Sequence, residues 1–314
     1  MNEIKGHHHI SMMTKDAKEN NHFYQTVLGL RRVKLTVNQD DPTMYHIFYG
    51  DLTGSPGTEL TFFAIPQIGA TYEGTNSINR IGLVVSSIES LNYWQRRFEQ
   101  FEITHGEITT YANRPALHFV DKDGLQMVMQ ASDENAPLWE PWEKSEVPQE
   151  HQIRGMGTVE ITVRRQEKLK RTLTELFHYS IVEERRNEIT LQSIEGEIFG
   201  EILIKQLDGK MEKPGRGSIH HLAIRTKDEK ELAYWEEQVI KRGFQSTGII
   251  DRHYFKSFYF RESNGILFEI VTDGPGFLID SSLDSLGENL DLPPFLENRR
   301  QEIEYRVRQS VFNI

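Results

Sequence analysis

Apolar residues recur along this chain with two periods. Short apolar or alternating runs such as Ile81-Gly-Leu-Val-Val85 and Thr158-Val-Glu-Ile-Thr162 predict strands. Between such runs, apolar residues fall three and four apart: Ile88, Leu91, Trp94 and Phe98; Leu169, Leu173, Leu176 and Phe177; Leu232, Trp235 and Val239. That spacing lays one apolar stripe along a helix. Thr14, Asp16, Thr226 and Asp228 are candidate N-caps, and Gly29 and Gly243 follow helices where a left-handed C-cap is expected.

The order of elements repeats four times: a strand, an amphipathic helix, then several strands. The copies open at His9, Ile81, Thr158 and His221. Their helices are expected over 17–28, 88–98, 169–177 and 232–239. Their closing strands are expected over 59–65, 125–129, 201–205 and 266–271. The openings lie roughly 60 to 80 residues apart, longer than a solenoid period, so these are duplicated modules rather than a stacked array. Asp121–Gly124 and Glu262–Gly265 predict matching hairpin turns, with Asp-Gly and Asn-Gly pairs that favour type I′ geometry. Ala136–Pro148 breaks the rhythm as an ordered connection. After Phe277, a Pro-Pro pair and a charged helix over Glu297–Arg308 are expected to wrap the outside.

Composition narrows the function. The chain has 314 residues, enough for about two domains, and 37% hydrophobic and 26% charged residues suit a globular protein. No apolar run is long enough to span a bilayer, and Met1–Lys15 lacks the apolar core of a signal peptide. There is no cysteine, which excludes disulfides, thiolate metal sites and cysteine nucleophiles and suits a cytoplasmic location. A net charge of −11 argues against nucleic acid as a partner. The basic run Arg164–Arg171, interrupted by Glu167, reads as a solvated helix face.

Twelve histidines supply the candidate chemistry. Copies one and four open with His7-His8-His9 and His220-His221, where copies two and three carry Ile81 and Thr158. Near the last strand, copy four has Glu269 where alignment gives Val128, Phe62 and Ile204 in the other copies. Two imidazoles and one carboxylate can hold one face of an octahedral ion and leave the rest open, the set that suits non-haem Fe(II). Strand alternation lets one of two neighbouring histidines face a metal, but it does not say which face is inside. Tag-like histidines and an exposed strand glutamate are the bland alternatives.

The residues resemble the vicinal oxygen chelate superfamily, and within it the hydroquinone-type ring-cleaving dioxygenases. The matching segments run almost end to end: Gly6-His-His-His-Ile10, Phe23-Tyr-Gln-Thr-Val-Leu-Gly29, Tyr45-His-Ile-Phe-Tyr-Gly-Asp51, Gly54-Ser-Pro-Gly-Thr58, Ile219-His-His221, Asp251-Arg252, Tyr259-Phe-Arg261, Gly265-Ile-Leu-Phe-Glu269 and Gly276-Phe277. The resemblance implies an α+β fold of four βαβββ modules that form two cupped mixed sheets with helices outside. The halves are expected over residues 5–135 and 150–277, with a tail over 278–314. It implies metal ligands His9, His221 and Glu269, with His8 the rival of His9. It implies active-site neighbours His8, His220, Arg252 and Tyr259, with His8 or His220 moving protons. Modules one and four would share the metal cavity, leaving two and three metal-free. The implied cofactor is Fe(II), with Mn(II) the alternative, and the implied partners are O2 and a hydroquinone or catechol. A homo-oligomer is expected. A metal-dependent glyoxalase or isomerase and a small-molecule-sequestering resistance protein are the competing functions.

Overall fold

The computed structural model describes residues 3–310. Module one contains β1 (His7–Thr14), α1 (Ala17–Asn21, continued as a π-turn over His22–Val27), β2 (Arg31–Val37), β3 (Tyr45–Gly50) and β4 (Glu59–Ala64). Module two contains β5 (Ser77–Val85), α2 (Ile88–Gln100), β6 (His105–Tyr111), β7 (Arg114–Val120) and β8 (Gln126–Ala131). Module three contains β9 (Met156–Val163), α3 (Gln166–Arg171, continued as a π-turn over Thr172–Leu176), β10 (Ser180–Arg185), β11 (Glu188–Gln192) and β12 (Glu201–Gln206). Module four contains β13 (Ile219–Thr226), α4 (Glu229–Lys241), β14 (Ile250–Asp251), β15 (Phe255–Arg261) and β16 (Leu267–Pro275). The βαβββ order therefore occurs four times. Asp16 and Asp228 cap α1 and α4 by accepting two backbone N–H bonds each.

The modules pair as one with four and two with three. One eight-stranded mixed sheet runs β14-β15-β16-β13-β1-β4-β3-β2, and the other β10-β11-β12-β9-β5-β8-β7-β6. Each is joined at its centre by an antiparallel pair of module-opening strands, β1 with β13 and β5 with β9. Strand alternation then sorts the side chains. Ile10, Met12, Leu222, Ile224, Phe268 and Ile270 enter the large core with the helices, where Trp94 and Trp235 are fully buried. His9, Ser11, His221 and Tyr259 face the other way and line a cavity. The helix-covered core thus decides which face of Leu267–Val271 is inside.

One local expectation changes. The turns at Asp121–Gly124 and Glu262–Gly265 match each other but are not type I′. Only the glycine of each has positive φ, and each carboxylate accepts backbone N–H bonds two and four residues ahead. The acidic side chain thereby stabilises a longer turn closed by a left-handed glycine. The two-residue type I′ loop is Ala112-Asn113, with φ of 46° and 61°. The tail does wrap the outside. Fully buried Lys34 holds Asp280 and Asp291 at 2.7 and 2.6 Å, and Ile303 and Val307 of α5 (Arg300–Ser310) pack into the core.

Candidate metal centre and active site

The β1–β13 junction builds the site. The register of this pair shifts between His7 and Ile10 and again between Ser11 and Met12, placing one β-bulge at each histidine cluster. A bulge puts two residues opposite one and breaks strict alternation. Adjacent histidines therefore sit side by side. His8 Nδ1 lies 3.1 Å from His9 Nδ1, and His220 Nδ1 lies 2.8 Å from His221 Nδ1. In each pair one ring engages Nδ1 of its neighbour, leaving Nε2 of His9 and His221 to converge on Glu269.

Those two nitrogens meet Glu269. His9 Nε2 and His221 Nε2 each lie 2.9 Å from Glu269 Oε2 and 3.4 Å from each other. All three residues are buried. Both carboxylate oxygens of Glu269 lack a hydrogen-bond partner of acceptable geometry. Burial alone would push this carboxyl up, but the imidazoles hold it well below the usual carboxylate range. A buried carboxylate facing two converging ring nitrogens is a donor set for a cation. Ligands on one face of an octahedral ion with bonds of about 2.1 Å stand roughly 3 Å apart, close to the spacing here. The residues present therefore fit a divalent metal.

A second group, His8, His9 and Glu59, also has ligand atoms close together. It shares His9 and stands behind it, with His8 Nδ1 3.6 Å from Glu59 Oε1. Burial pushes the Glu59 carboxyl well up, His8 well down and His220 down to about 4. His8 and His220 are thus neutral near pH 7. They serve the neighbouring ring as hydrogen-bond partners rather than as groups that titrate near neutrality, which narrows the proton-moving role expected of them.

The cluster forms one wall of a cavity of about 580 Å³. Tyr259 is opposite Glu269 on the neighbouring strand, and its ring centre is 5.4 Å from that of His221. Burial, then the Glu269 charge, keeps its phenol protonated. The Arg252 guanidinium lies 5.7 Å from the Tyr259 ring centre and makes two 2.9 Å bonds to Asp40. Arg252 is thus at once the partner of an outer ion pair and a cavity-lining cation. All seven residues expected from sequence gather at this one place. Sequence reasoning gave no role to His46, Thr61, Ser11 and Glu59, which join them. The only available signal was a polar residue on the non-core face of an apolar strand.

The register also corrects the matched positions. In module four, Glu269 is opposite Ala223, two residues past His221. The equivalent pairs are Ser11 with Thr61, Gly82 with Val128 and Glu160 with Leu203. Val128 and Thr158 stand where alignment put them. The counterparts of Glu269 in copies one and three are Thr61 and Leu203 rather than Phe62 and Ile204, and the ligand-equivalent residue of copy two is Arg80 rather than Ile81. The β5–β9 pair carries register shifts of its own, which sequence alignment does not detect.

Paired βαβββ modules around a His-His-Glu cavity define the vicinal oxygen chelate fold, with a cup whose residues could hold a metal. Glyoxalase I from Zea mays shares this fold, with a TM-score of 0.63 at 10% identity over 85% of this chain and 92% of that one. A solved structure of a Bacillus subtilis protein named as a dioxygenase superposes with a TM-score of 0.91 at 31% identity, covering 100% of this chain and 98% of that one. No protein-family model matches the chain. A Bacillus subtilis protein named as the ring-cleaving dioxygenase MhqA is 47% identical over 312 residues, 98% of this chain and 99% of that protein. Chlorohydroquinone/hydroquinone 1,2-dioxygenase of Sphingobium indicum is 27% identical over 96% of this chain and 95% of that enzyme. The chain belongs to the ring-cleaving dioxygenase family, and as a dioxygenase it is an oxidoreductase.

Proposed function

We propose that this protein opens the ring of a hydroquinone with O2 as a non-haem Fe(II), extradiol-type dioxygenase, with His9, His221 and Glu269 as the iron ligands. The observation that carries the reading is the convergence of two Nε2 atoms and one Glu269 oxygen on the wall of an aromatic-lined cavity. Bound iron would supply the Lewis acidity and one-electron chemistry that let O2 react with an electron-rich ring.

The chain's own residues do the rest. Three ligands leave room for substrate and O2. His8 and His220 hold the ligand imidazoles in orientation, a support of the kind that tunes metal affinity. Phe48, Phe63 and Phe255 give the cavity an apolar wall that suits a planar ring and excludes water. The protonated Tyr259 hydroxyl donates to a substrate or oxygen-derived oxygen, and the Arg252 charge stabilises negative charge beside it, both from fixed positions. Both atoms of O2 enter the product, so no external reductant is consumed.

The test is an oxygen electrode with Fe(II)-reconstituted protein. Methylhydroquinone should give one O2 consumed per ring opened, with little or no uptake by metal-free or Zn(II)-loaded protein. A parallel panel of catechol, Mn(II)-loaded protein and a glutathione hemithioacetal separates the neighbouring chemistries. Binding of methylhydroquinone without O2 uptake by the iron-loaded protein would end the proposal in favour of sequestration.

A further inference from the structure

We propose that His46 binds the second hydroxyl of a hydroquinone through its free Nδ1 and thereby selects a para-diol over an ortho-diol. This rests on the ring-opening function above. Bound iron would take such a substrate by one oxygen. In a catechol the second hydroxyl is adjacent and turns toward the same metal. In a hydroquinone it projects from the far end of the ring, and burying it without a partner is costly.

His46 is built to meet it. On β3, Tyr45, Ile47 and Tyr49 enter the core, which leaves His46 and Phe48 on the cavity face. The imidazole lies between two phenyl rings, its centre 4.1 Å from that of Phe48 and 4.3 Å from that of Phe63. Its Nε2 is 3.1 Å from Thr61 Oγ1, which is 2.7 Å from Ser11 Oγ. Thr61 and Ser11 are fully buried, so this chain fixes the ring from behind. Among the described residues, Nδ1 has no hydrogen-bond partner, and the side chain is partly open toward the cavity.

Thr61 occupies the register position that Glu269 holds in module four. The position that supplies a ligand in one module thus supports a substrate-facing imidazole in the other. Several other polar groups on the wall are already engaged: Arg252 with Asp40, the Tyr254 hydroxyl with Asp280, and His220 with His221. Burial, reinforced by His9 and His221, holds His46 well below its ordinary range, so it meets the substrate as a neutral acceptor.

The experiment measures anaerobic binding of hydroquinone, 4-methoxyphenol and catechol to the Fe(II)-loaded protein, alongside KM and kcat. 4-Methoxyphenol keeps the metal-binding hydroxyl but cannot donate from the far end. The wild type is expected to bind hydroquinone about tenfold more tightly than 4-methoxyphenol, the size of one buried hydrogen bond. His46→Phe should bring the two within about twofold, and His46→Gln, which keeps an acceptor, should regain part of the preference. Thr61→Val frees Nε2 and should narrow the ratio, which keeps the test decisive if His46→Phe does not fold. An unchanged ratio in a folded His46→Phe or Thr61→Val protein, or no preference in the wild type, overturns the assignment. Failure of the ring-opening reading shows separately, as absence of O2 uptake by iron-loaded wild type.

Discussion

Where β1 and β13 meet in the first cup, the chain presents His9 and His221. Where β5 and β9 meet in the second, the matched positions hold Thr158 and Arg80. The backbone plan is shared, because the β5–β9 register also shifts near both positions. The chemistry differs. Glu201 accepts from Thr158 Oγ1 at 2.6 Å, Gln192 Nε2 at 2.8 Å and Arg114 Nη1 at 2.9 Å. Glu160 takes Arg80 at 3.2 Å, Lys205 at 2.8 Å and the Tyr111 hydroxyl at 2.9 Å. Each buried carboxylate of the second cup is answered by side chains of its own sheet. In the first cup Glu269 faces only the two imidazole nitrogens, and neither of its oxygens has a hydrogen bond of acceptable geometry. A satisfied network stabilises a cup, whereas an unsatisfied one marks where a ligand belongs.

The comparison is tested most strongly at its two carboxylates. Glu269→Gln removes the one anionic ligand and should abolish tight iron binding and turnover together, read by metal analysis after reconstitution and by O2 uptake. Full activity with wild-type iron content would refute the ligand role. Glu201→Gln strips the charge from a buried network and leaves Arg114 underpaired. It should lower unfolding free energy by about 3 kcal/mol, measured by urea denaturation, with iron content unchanged. Loss of iron in that variant would mean the cups are not independent.

A subtler contrast concerns the residues behind the ligands. His220→Ala removes the group that engages His221 Nδ1 and should weaken iron affinity about 10- to 100-fold, with the fold intact. Asn79, near the corresponding bulge of the second cup, bonds Thr162 N and Ser77 Oγ instead. Asn79→Ala should leave iron affinity where it was. Competitive chelation on the two variants side by side reads the difference.

Much of this was legible in the sequence, for identifiable reasons. Helical stripes such as Ile88–Phe98 and the strand that opens with His221 declare themselves through period, and four repetitions fix the modules. The doubled histidines stood out because copies two and three lack them. Which histidine of a pair faces the cavity was not legible from period, since alternation forbids what a bulge permits. A shift in the β5–β9 pair moved Arg80 away from its aligned position. Thr61 and Leu203 are instead set by the unbroken parallel registers of β1–β4 and β9–β12, which aligning short apolar strands by sequence missed by one residue. His46 was hidden for another reason. Its role comes from Thr61 on one side and two phenylalanines around it, and a tertiary partnership leaves no period in the chain.

The smallest expected effect concerns the residue facing the carboxylate position in each cup. Tyr259 is opposite Glu269, and His118 is opposite Val128. Tyr259→Phe keeps the ring beside His221 and removes only the hydroxyl. Because the phenol is a donor and not a ligand, iron should stay bound and hydroquinone affinity should change little. Turnover should fall about tenfold, somewhat less than loss of a fully preorganised oxyanion donor, since Arg252 remains to carry part of the charge. His118→Phe, the matching change in the second cup, should leave turnover unaltered. If iron leaves with the Tyr259 hydroxyl, that group holds the metal cluster together instead of acting on substrate. If His118→Phe slows turnover as much, the two cups communicate and the division of labour between them fails.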